Sequence, residues 1–237
     1  MTENAIIQGL KPESPLTTLR IPLDSHSSFA DYLSKSKISS CIISSTSVIP
    51  EWLTTDLKIN GVKKIHIMNG NTPLPVVNLY KTPETLGTDR ISSVIGAFYE
   101  MHCSYPIICI DSGTALTYDI INASGEYIGG NISPGVEMRF KSLHMLTKRL
   151  PLVSAEGQLS ETGTSTESAI RNGVILGIRY EILGYITHFR KKFPELKVFF
   201  TGGGIEYFAE IKKKYIFADK NLVLKGLNII LNYIQRQ

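Results

Sequence analysis

The chain has 237 residues, a formal net charge of +4 and a composition that is 43% hydrophobic and 19% charged, which is typical of a soluble globular protein with one large or two small domains. No apolar run approaches the ~18–20 residues that span a bilayer, and the N-terminus lacks the basic start and apolar core of a secretory signal. We therefore expect a cytoplasmic protein with no membrane partner, and no nucleic-acid partner either, because the basic runs at 190–192 and 212–214 are typical of solvated helix ends.

The first third of the chain alternates short apolar runs with helical patterns. Residues 29–33 are predicted to be part of a short helix, with Ser27 or Ser28 as a candidate N-cap. This β-α-β rhythm favours an α/β layer architecture. The predicted strands of this part lie at residues 5–7, 18–21, 41–43 and 65–67, the first two joined by a proline-containing turn.

The remaining two thirds begin with a turn-rich stretch between Asn69 and Gly87, and long loops in compact domains often carry function. A lobe boundary near residue 105 is predicted, which gives an N-terminal lobe at 1–105 and a C-terminal lobe at 106–237. Thr164 and Glu167 form a candidate capping box for a long helix. Strands are predicted at 106–110, 117–121, 125–130 and 198–200, and helices from Arg90 and at 136–148, 166–190 and 222–234.

Metal-binding patterns are weak across the chain. The three cysteines, Cys41, Cys103 and Cys109, lack the Cys-x-x-Cys spacing of zinc and redox sites. Cys41 and Cys109 begin or lie within apolar runs, which favours a buried packing role. The five histidines form no pair at helical spacing, so a transition-metal site is not expected.

The clearest chemical motif is the segment from Asp111 to Asp119, which follows an apolar strand. Gly113 permits a tight turn whose backbone can approach an anion closely, and Thr114 and Thr117 add hydroxyl donors. Such a loop could bind phosphate while Asp111 holds a cation nearby. The alternative is an ordinary hairpin turn, in which glycine and aspartate serve only as turn formers.

A second motif is Gly87-Thr88-Asp89-Arg90, at the start of a predicted helix. Asp89 could accept a proton from a substrate hydroxyl as a general base, and Arg90 could pair with a substrate carboxylate in bidentate fashion. The alternative is structural, with Asp89 as the helix N-cap and Arg90 as an exposed residue of the first turn.

Two glycine-rich segments could also border a ligand. Gly129 to Gly135 lies between a strand and a helix, and Thr201 to Gly204 follows a strand. The alternatives are an ordinary turn with a Pro–Gly stop for the first segment and a merely flexible triple glycine for the second. Neither fits the Gly-x-Gly-x-x-Gly dinucleotide fingerprint, and the chain contains no Gly-Lys-Ser/Thr phosphate loop.

Taken together and in this order, these segments resemble the type III pantothenate kinases, of the acetate and sugar kinase, heat-shock ATPase and actin superfamily. The resemblance spans roughly residues 16–234. It implies an α/β fold of two ribonuclease-H-like or actin-like lobes, with mixed sheets flanked by helices and an active cleft between the lobes and at a dimer interface. The matching segments are Tyr80–Arg90, Asp111–Asp119, Gly129–Gly135, Thr166–Gly173 and Thr201–Gly203.

The resemblance implies ATP-dependent phosphorylation of pantothenate to 4'-phosphopantothenate, the first step of coenzyme A biosynthesis. Asp89 would be the general base, and Thr166 would reach the pantothenate of the partner subunit in a homodimer. Asp111 would bind a monovalent cation, K⁺ or NH₄⁺, beside ATP and Mg²⁺. Pantothenate would be bound by Tyr80, Gly87, Thr88, Asp89 and Arg90, and the nucleotide by Gly113, Thr114, Thr117, Gly202 and Gly203.

The chain departs from the family pattern at its start. Family members open with a strand and an Asp-x-Gly-Asn-Thr phosphate loop, whereas the residues after Met1 resemble the second strand of the family, so the first strand and its loop are expected to be missing from the N-terminal lobe. Asn69 to Thr72 lacks the preceding aspartate and is no substitute. Two alternatives therefore stand beside an active enzyme: a catalytically impaired kinase-like homologue acting as a ligand-binding or regulatory protein, and a superfamily kinase with another hydroxyl substrate.

Overall fold

The structure, a computed structural model, describes residues 4–9, 17–22, 26–208, 211 and 216–237. The chain divides into two compact units. Within the described residues, no helix combines the length and the apolar character needed to cross a bilayer. The lobe boundary near residue 105 stays a prediction. The first unit comprises 1–75, 82–89 and 227–237, and the second comprises 76–81 and 90–226.

The first unit contains two small sheets and two helices. Strands β1 and β2 are antiparallel, and β3 and β4 are parallel, which confirms the predicted strands; the turn between β1 and β2 lies outside the described residues. The prediction of Ser27 or Ser28 as the N-cap is wrong, because α1 already begins at His26. The apolar residues Phe29 and Leu33 mark the buried face of the helix and do not locate its first residue. The elements are β1 Asn4–Gly9, β2 Thr17–Pro22, α1 His26–Lys35, β3 Ser40–Ile43, α2 Glu51–Ile59 and β4 Lys64–Ile67.

The core of the first unit lies where α1 and α2 pack with β3 and β4. Phe29 and Leu33 are one helical turn apart on α1 and are almost fully buried, together with Leu57 of α2 and Val62. Trp52 meets the ring of Phe29 edge-on at 5.5 Å. Burying four such side chains supplies the main stabilisation of this unit.

The second unit is built on a six-stranded mixed sheet of order β10-β9-β6-β7-β8-β5. Strands β6, β7 and β8 form the predicted antiparallel meander, whereas β9 pairs in parallel with both β6 and β10. The predicted α/β class with a mixed sheet is therefore confirmed. The strands are β5 Val77–Asn78, β6 Ile107–Ser112, β7 Ala115–Ile121, β8 Glu126–Pro134, β9 Lys197–Thr201 and β10 Ile216–Ala218.

The helices of the rest of the chain match the predicted positions. The capping box expected at Thr164 and Glu167 is wrong, because Ser165 has the extended backbone of an N-cap and exchanges hydrogen bonds with Ser168. Serine hydroxyls can both donate and accept, so this pair satisfies two amides of the first turn. The helices are α3 Thr88–Glu100, α4 Val136–Met145, α5 Thr166–Lys192 and α6 Leu222–Gln235, with 3-10 turns at Pro83–Thr85 and Gly203–Phe208.

The central strands β6 and β7 have two different faces. On one face Ile108, Ile110, Tyr118 and Ile120 join a core that includes the isoleucines of α5. Because alternate residues of a strand point to opposite faces, the other face carries a set of polar groups. These are Cys109 and Asp111 of β6, which lie directly opposite Asp119 and Thr117 of β7. Asp111 and the buried ion pair of Asp119 described below lie on this second face.

Helices α3 and α6 approach at backbone distance. A Cβ atom added to Gly226 would lie 1.8 Å from the carbonyl oxygen of Ser92, and one added to Gly96 would lie 2.3 Å from that of Leu222. Each helix thus supplies one glycine to the crossing. Since Arg90 lies on the same helix as Ser92 and Gly96, this crossing helps to fix the part of α3 that carries Arg90.

Gly226→Ala should lower the free energy of unfolding by about 2–3 kcal/mol, because overpacking a close contact outweighs the ~1 kcal/mol that alanine gains over glycine in a helix. Urea denaturation followed by circular dichroism measures the change. The matched control is Gly184→Ala in α5, where an added Cβ meets nothing within 4 Å; it should be neutral or stabilising. A Gly226→Ala protein as stable as wild type would contradict the close crossing.

Candidate active site

The turn between β6 and β7 exposes backbone rather than large side chains. Asp111 and Ser112 end β6, and Gly113 and Thr114 form the exposed tip. The amide of Gly135 donates to the carbonyl of Thr114 at 3.1 Å, and a Cβ at 135 would lie 2.4 Å from that carbonyl oxygen. The turn is therefore held in shape by backbone contacts, as a preorganised anion-binding turn requires.

A second glycine-rich turn lies directly beside the first. Thr201 at the end of β9 is paired in register with Asp111. Gly202 has a φ of +89°, and a Cβ there would lie 2.3 Å from Asp111 Oδ1 and 2.6 Å from the Ser112 carbonyl oxygen. A Cβ at Gly204 would lie 2.4 Å from Ser112 Oγ. The two motifs, distant in sequence, thus form one surface of bare backbone.

Two oxygen atoms lie at this junction of the turns. The carboxylate of Asp111 and the carbonyl of Ser112 both pack closely on Gly202, and oxygen is the ligand that hard cations prefer. No three His, Cys, Asp or Glu side chains come together as a metal-ligand group in the described ranges. Asp111 is the carboxylate at this junction that could contribute to a cation site. Thr117 lies opposite Asp111 in the strand register.

A buried ion pair lies on the same face of the sheet. Arg90 is 7% exposed and Asp119 is fully buried. Arg90 Nη2 donates to Asp119 Oδ1 at 2.7 Å, and Arg90 Nε donates to Oδ1 at 3.0 Å and to Oδ2 at 3.2 Å. The Tyr127 hydroxyl donates to the same Oδ1 at 2.7 Å, and the Tyr80 ring centre lies 5.8 Å from the guanidinium carbon. One edge of the guanidinium is therefore paired with Asp119.

Burial and pairing act in opposite directions on the two charges of this pair. Burial by itself opposes the charge of Arg90, but the hydrogen bond to Asp119 and its negative charge keep the pKa of Arg90 above the ordinary value. Burial raises the pKa of Asp119, while hydrogen bonds from Arg90 and Tyr127 favour its ionised form. The bidentate geometry is the strong form of such a contact. Gly130 leaves the necessary room, since a Cβ there would lie 2.4 Å from Asp119 Oδ1 and 2.8 Å from Arg90 Nη2.

The start of α3 is fixed within the first unit. Thr88 is the first helical residue, and its hydroxyl lies 2.7 Å from Ser44 Oγ, just after β3. The loop before α3 packs on the loop after β4, because a Cβ at Gly70 would lie 2.4 Å from Glu84 Cα. Asp89 is half-buried in the first turn. The structural alternative for this motif is therefore wrong: Asp89 lies inside the helix, and the next residue is buried.

Thr166 lines a different feature of the second unit. It is the first residue of α5 and borders a cleft of about 680 Å³ between α4 and α5. Arg139 of α4 and Ala169 and Gly173 of α5 line the same cleft, which is mostly apolar. The exposed position of Thr166 at a helix start is compatible with a ligand that reaches it from outside the chain.

A second carboxylate network ties α4 and α5 to the sheet. Glu181 accepts hydrogen bonds from Tyr118 at 2.9 Å, from Ser133 at 2.6 Å and from Arg139 at 2.5 Å. Although burial alone would raise it, the pKa of Glu181 is held below its ordinary value by these donors. A carboxylate whose pKa is lowered in the folded state stabilises that state above its unfolded pKa.

Glu181→Gln should therefore lower stability at neutral pH, and the difference from wild type should shrink as the pH falls below the ordinary value of 4.5. Thermal midpoints of both proteins between pH 7 and about pH 3 measure this. Gln keeps the shape but loses the charge that pairs with Arg139. A difference that is constant over this range would contradict the lowered pKa.

The comparison with known proteins decides the family. The sequence model of the family described as type III pantothenate kinase matches residues 22–188.

The chain belongs to the type III pantothenate kinase family. The type III pantothenate kinase of Phocaeicola vulgatus is 54% identical over 166 residues, which cover 70% of this chain and 68% of that protein. The type III pantothenate kinase of Bacteroides fragilis is 54% identical over 169 residues, with the same coverage of 70% and 68%. The predicted resemblance is thereby confirmed.

One solved structure supports the fold assignment only. A Campylobacter jejuni protein described as a member of the Baf family of transcriptional activators is 22% identical, with a TM-score of 0.60 and coverage of 93% of this chain and 92% of that one. At this identity only the fold carries over. It matches the mixed α/β architecture expected of a type III pantothenate kinase.

Within this family framework, the structure brings some predicted site residues together and leaves others apart. Gly202 lies against Asp111 and Ser112, and Gly113 and Thr114 form the tip of the same β6–β7 turn. Thr117 lies opposite Asp111 in register with its hydroxyl oxygen buried, and Gly203 begins the 3-10 turn that follows Gly202. Tyr80 and Arg90 meet at the buried ion pair. Gly87, Thr88 and Asp89 form the start of α3, and Thr166 lies at the cleft beside α5.

The sequence reasoning missed the partners of Arg90. Asp119 ends the Asp111–Asp119 motif, but the motif alone gives it no role, and the sequence gives no role to Tyr127 or Gly130 either. A signal existed, because Asp119 stands in an otherwise apolar strand run, and a carboxylate in such a run needs a buried partner. Which cation supplies that partner could not be read from the sequence.

Proposed function

We propose that this chain transfers the γ-phosphoryl group of ATP to the primary hydroxyl of pantothenate, giving 4'-phosphopantothenate in the first step of coenzyme A biosynthesis. Family membership supports the reaction. The observation that supports the chemistry is the close approach of two glycine-rich turns, in which Gly202 lies against Asp111 and the Ser112 carbonyl. Phosphoryl transfer depends mainly on positioning and on stabilising charge, which such turns can supply.

The nucleotide phosphates would bind along these turns. Backbone amides of the Asp111–Thr114 turn and the hydroxyl of Thr114 would donate to phosphate oxygens, while Gly202 and Gly203 allow close approach. The hydroxyl of Thr117 is buried, so Thr117 would contribute by supporting the turn from beneath. Asp111 would hold a K⁺ or NH₄⁺ ion, and Mg²⁺ would be held largely by the phosphates. These cations, when bound, supply neutralisation of the charge on the transferred group.

Pantothenate would bind near the start of α3. Asp89 would take the proton of the attacking primary hydroxyl as general base. Arg90 and Tyr80 would contact the carboxylate end of the substrate, and Gly87 and Thr88 would line the approach. This assignment is supported by the match of these positions to the family's pantothenate segment.

We further propose a homodimer in which Thr166 contacts the pantothenate bound to the partner subunit. The exposed start of α5 and the apolar cleft beside it support a contact with a second copy. The lobe boundary near residue 105 and a cytoplasmic location remain parts of this proposal. Size-exclusion chromatography with light scattering would test the dimer directly.

The decisive assay is ADP release that depends on pantothenate, in the presence of Mg²⁺ and K⁺ or NH₄⁺. We expect ADP and 4'-phosphopantothenate in equal amounts, with no ADP release above background when pantothenate is omitted. Replacing pantothenate by other small carboxylate-bearing alcohols tests the alternative of a different hydroxyl substrate. Absence of pantothenate-dependent turnover would overturn the proposed function, and calorimetry would then separate a binding protein from one that binds neither substrate.

A further inference from the structure

We propose that Arg139 and Glu181 are positioning residues that hold the end of β8 in place and thereby set the turn at Gly113 and Thr114 for the phosphates of ATP. This inference rests on the proposed function, because it assigns a supporting role to residues behind the turn that would bind the nucleotide. Neither side chain would touch the nucleotide itself. Residues that support a binding group in this way commonly determine how well it is oriented.

The turn rests on a short segment at the end of β8. Gly113 and Thr114 form its exposed tip. The amide of Gly135 donates to the carbonyl of Thr114 at 3.1 Å, and a Cβ at position 135 would lie 2.4 Å from that carbonyl oxygen and 2.5 Å from the one of Gly113. Pro134 is paired with Ala115, the first residue of β7. A shift of Pro134 and Gly135 would therefore displace both residues of the tip.

The end of β8 is held by a side chain of α4. Pro134 has no N–H group and cannot donate to the strand ladder. Arg139 supplies other contacts, because its Nε donates to the Pro134 carbonyl at 2.8 Å and its Nη2 donates to Ser133 Oγ at 3.2 Å. The planar guanidinium sets the geometry of both contacts at once, whereas a lysine ammonium is a point charge on a flexible stem. The fork of Arg139 therefore fixes the last two residues of the strand.

Glu181 anchors this arginine to the core of the second unit. It accepts a hydrogen bond from Arg139 Nη2 and, through Oε1, one from the Ser133 hydroxyl at 2.6 Å. Its neighbours Ile178 and Ile182 on α5 are fully buried, so the helix at this point belongs to a closely packed core. The side chains of Arg139 and Glu181 are 21% and 23% exposed, and water screens such a pair less than one at the open surface.

A purely structural role is the alternative, in which the network only ties α4 and α5 to the sheet. Tyr118 separates the two roles. Its hydroxyl donates to the same Oε1 of Glu181 at 2.9 Å, but this hydrogen bond joins β7 to α5 directly. The residue opposite Tyr118 in the strand register is Asn131, three positions before Pro134. Tyr118 thus shares the network but not the connection to the end of β8.

The test is steady-state ADP release by the variants Arg139→Lys and Ser133→Ala, with each substrate varied in turn. Arg139→Lys keeps the charge but loses the fork, and it should lower kcat/KM for ATP by about 10–100-fold. Ser133→Ala should lower it by about threefold to tenfold, because one hydroxyl of the connection is lost. KM for pantothenate should stay within about twofold in Ser133→Ala, since the start of α3 is unchanged.

The matched control is Tyr118→Phe, which removes one hydroxyl from the same carboxylate oxygen. It should lower the thermal midpoint about as much as Ser133→Ala but leave kcat/KM for ATP within about twofold of wild type. Equal losses of kcat/KM in these two variants would overturn the positioning role, as would a lower midpoint with unchanged kcat/KM in Ser133→Ala. Arg139 also lines the cleft beside Thr166, so Ser133→Ala decides if Arg139→Lys does not fold or changes its oligomeric state.

Failure of the proposed function is distinguishable from failure of this inference. A wild-type chain that turns over, with Ser133→Ala equal to it, contradicts the positioning role alone. A wild-type chain without turnover contradicts the kinase activity, and the calorimetric Kd for ATP with Mg²⁺ then replaces kcat/KM. A Kd about threefold to tenfold weaker in Ser133→Ala, but unchanged in Tyr118→Phe, would still support the positioning role. A wild-type chain that neither turns over nor binds ATP would overturn both.

Discussion

Asp89→Asn should lower kcat by about 10²–10⁴-fold while KM for pantothenate and for ATP change only a few-fold, as expected when a general base is removed. Asparagine has the same shape and still accepts a hydrogen bond, but it cannot take the proton of the attacking hydroxyl. The residue lies in the first turn of α3, and the hydroxyl of Thr88 beside it lies 2.7 Å from Ser44 Oγ. The isosteric change should therefore leave the position of the side chain intact.

The measurement is steady-state ADP release with each substrate varied, together with the thermal midpoint. The matched control is Asp31→Asn in α1, which removes a carboxylate that pairs at the surface with Lys35 and should retain wild-type kcat. An Asp89→Asn protein with kcat within tenfold of wild type would show that another group takes the proton. A parallel loss in both KM values would instead indicate a displaced helix.

The repetitive patterns of the sequence predicted most of the secondary structure. The apolar spacing from Ile91 to Phe98 gives one buried face of α3, and the apolar run before Asp111 gives strand β6. Burial dominates the stability of such elements, so hydrophobic period is enough to locate them. The order of strands in the sheet was not accessible in this way, because the parallel pairing of β6 with β9 joins segments far apart in the chain.

The two errors at helix starts have a common cause. Residues 160–168 contain several hydroxyl side chains, and each offers a cap of similar strength. Tertiary packing determines where α5 begins, so that Ser165 and not Thr164 is its N-cap. The local sequence does not encode that position. The same holds at Ser27 and Ser28, where the helix begins at His26.

For the candidate site, the sequence alone predicts less than it does for the secondary structure. Resemblance to a family marked Arg90, but only the fold reveals that Asp119, 29 residues away in sequence, occupies one edge of its guanidinium. A sequence can indicate that a buried carboxylate needs a cation, because the cost of an unpaired charge is large. It cannot choose among the 25 lysines and arginines of the chain. That choice follows from the register of β7 and the start of α3.

Gly202→Ala should lower kcat/KM for ATP by about 10²-fold or more, because displacement of a positioning group by about 1 Å is enough for such a loss. The residue has a φ of +89°, which an L-amino acid with a side chain rarely adopts, and its Cβ would lie 2.3 Å from Asp111 Oδ1. The methyl group would push apart the two turns that are proposed to hold the phosphates. KM for pantothenate should change much less, since its contacts lie around Arg90.

The comparison variant is Gly203→Ala, the next residue in the same turn, where an added Cβ meets nothing within 4 Å. It retains the backbone amide, so its loss in kcat/KM for ATP should stay below tenfold and its thermal midpoint near wild type. Initial rates at several ATP concentrations separate the two variants. Equal losses in both would mean that glycine flexibility matters here, and a wild-type value for Gly202→Ala would contradict the nucleotide site. Because the added Cβ would conflict with both Asp111 Oδ1 and the Ser112 carbonyl, a loss confined to position 202 ties nucleotide binding to the close packing of these two turns.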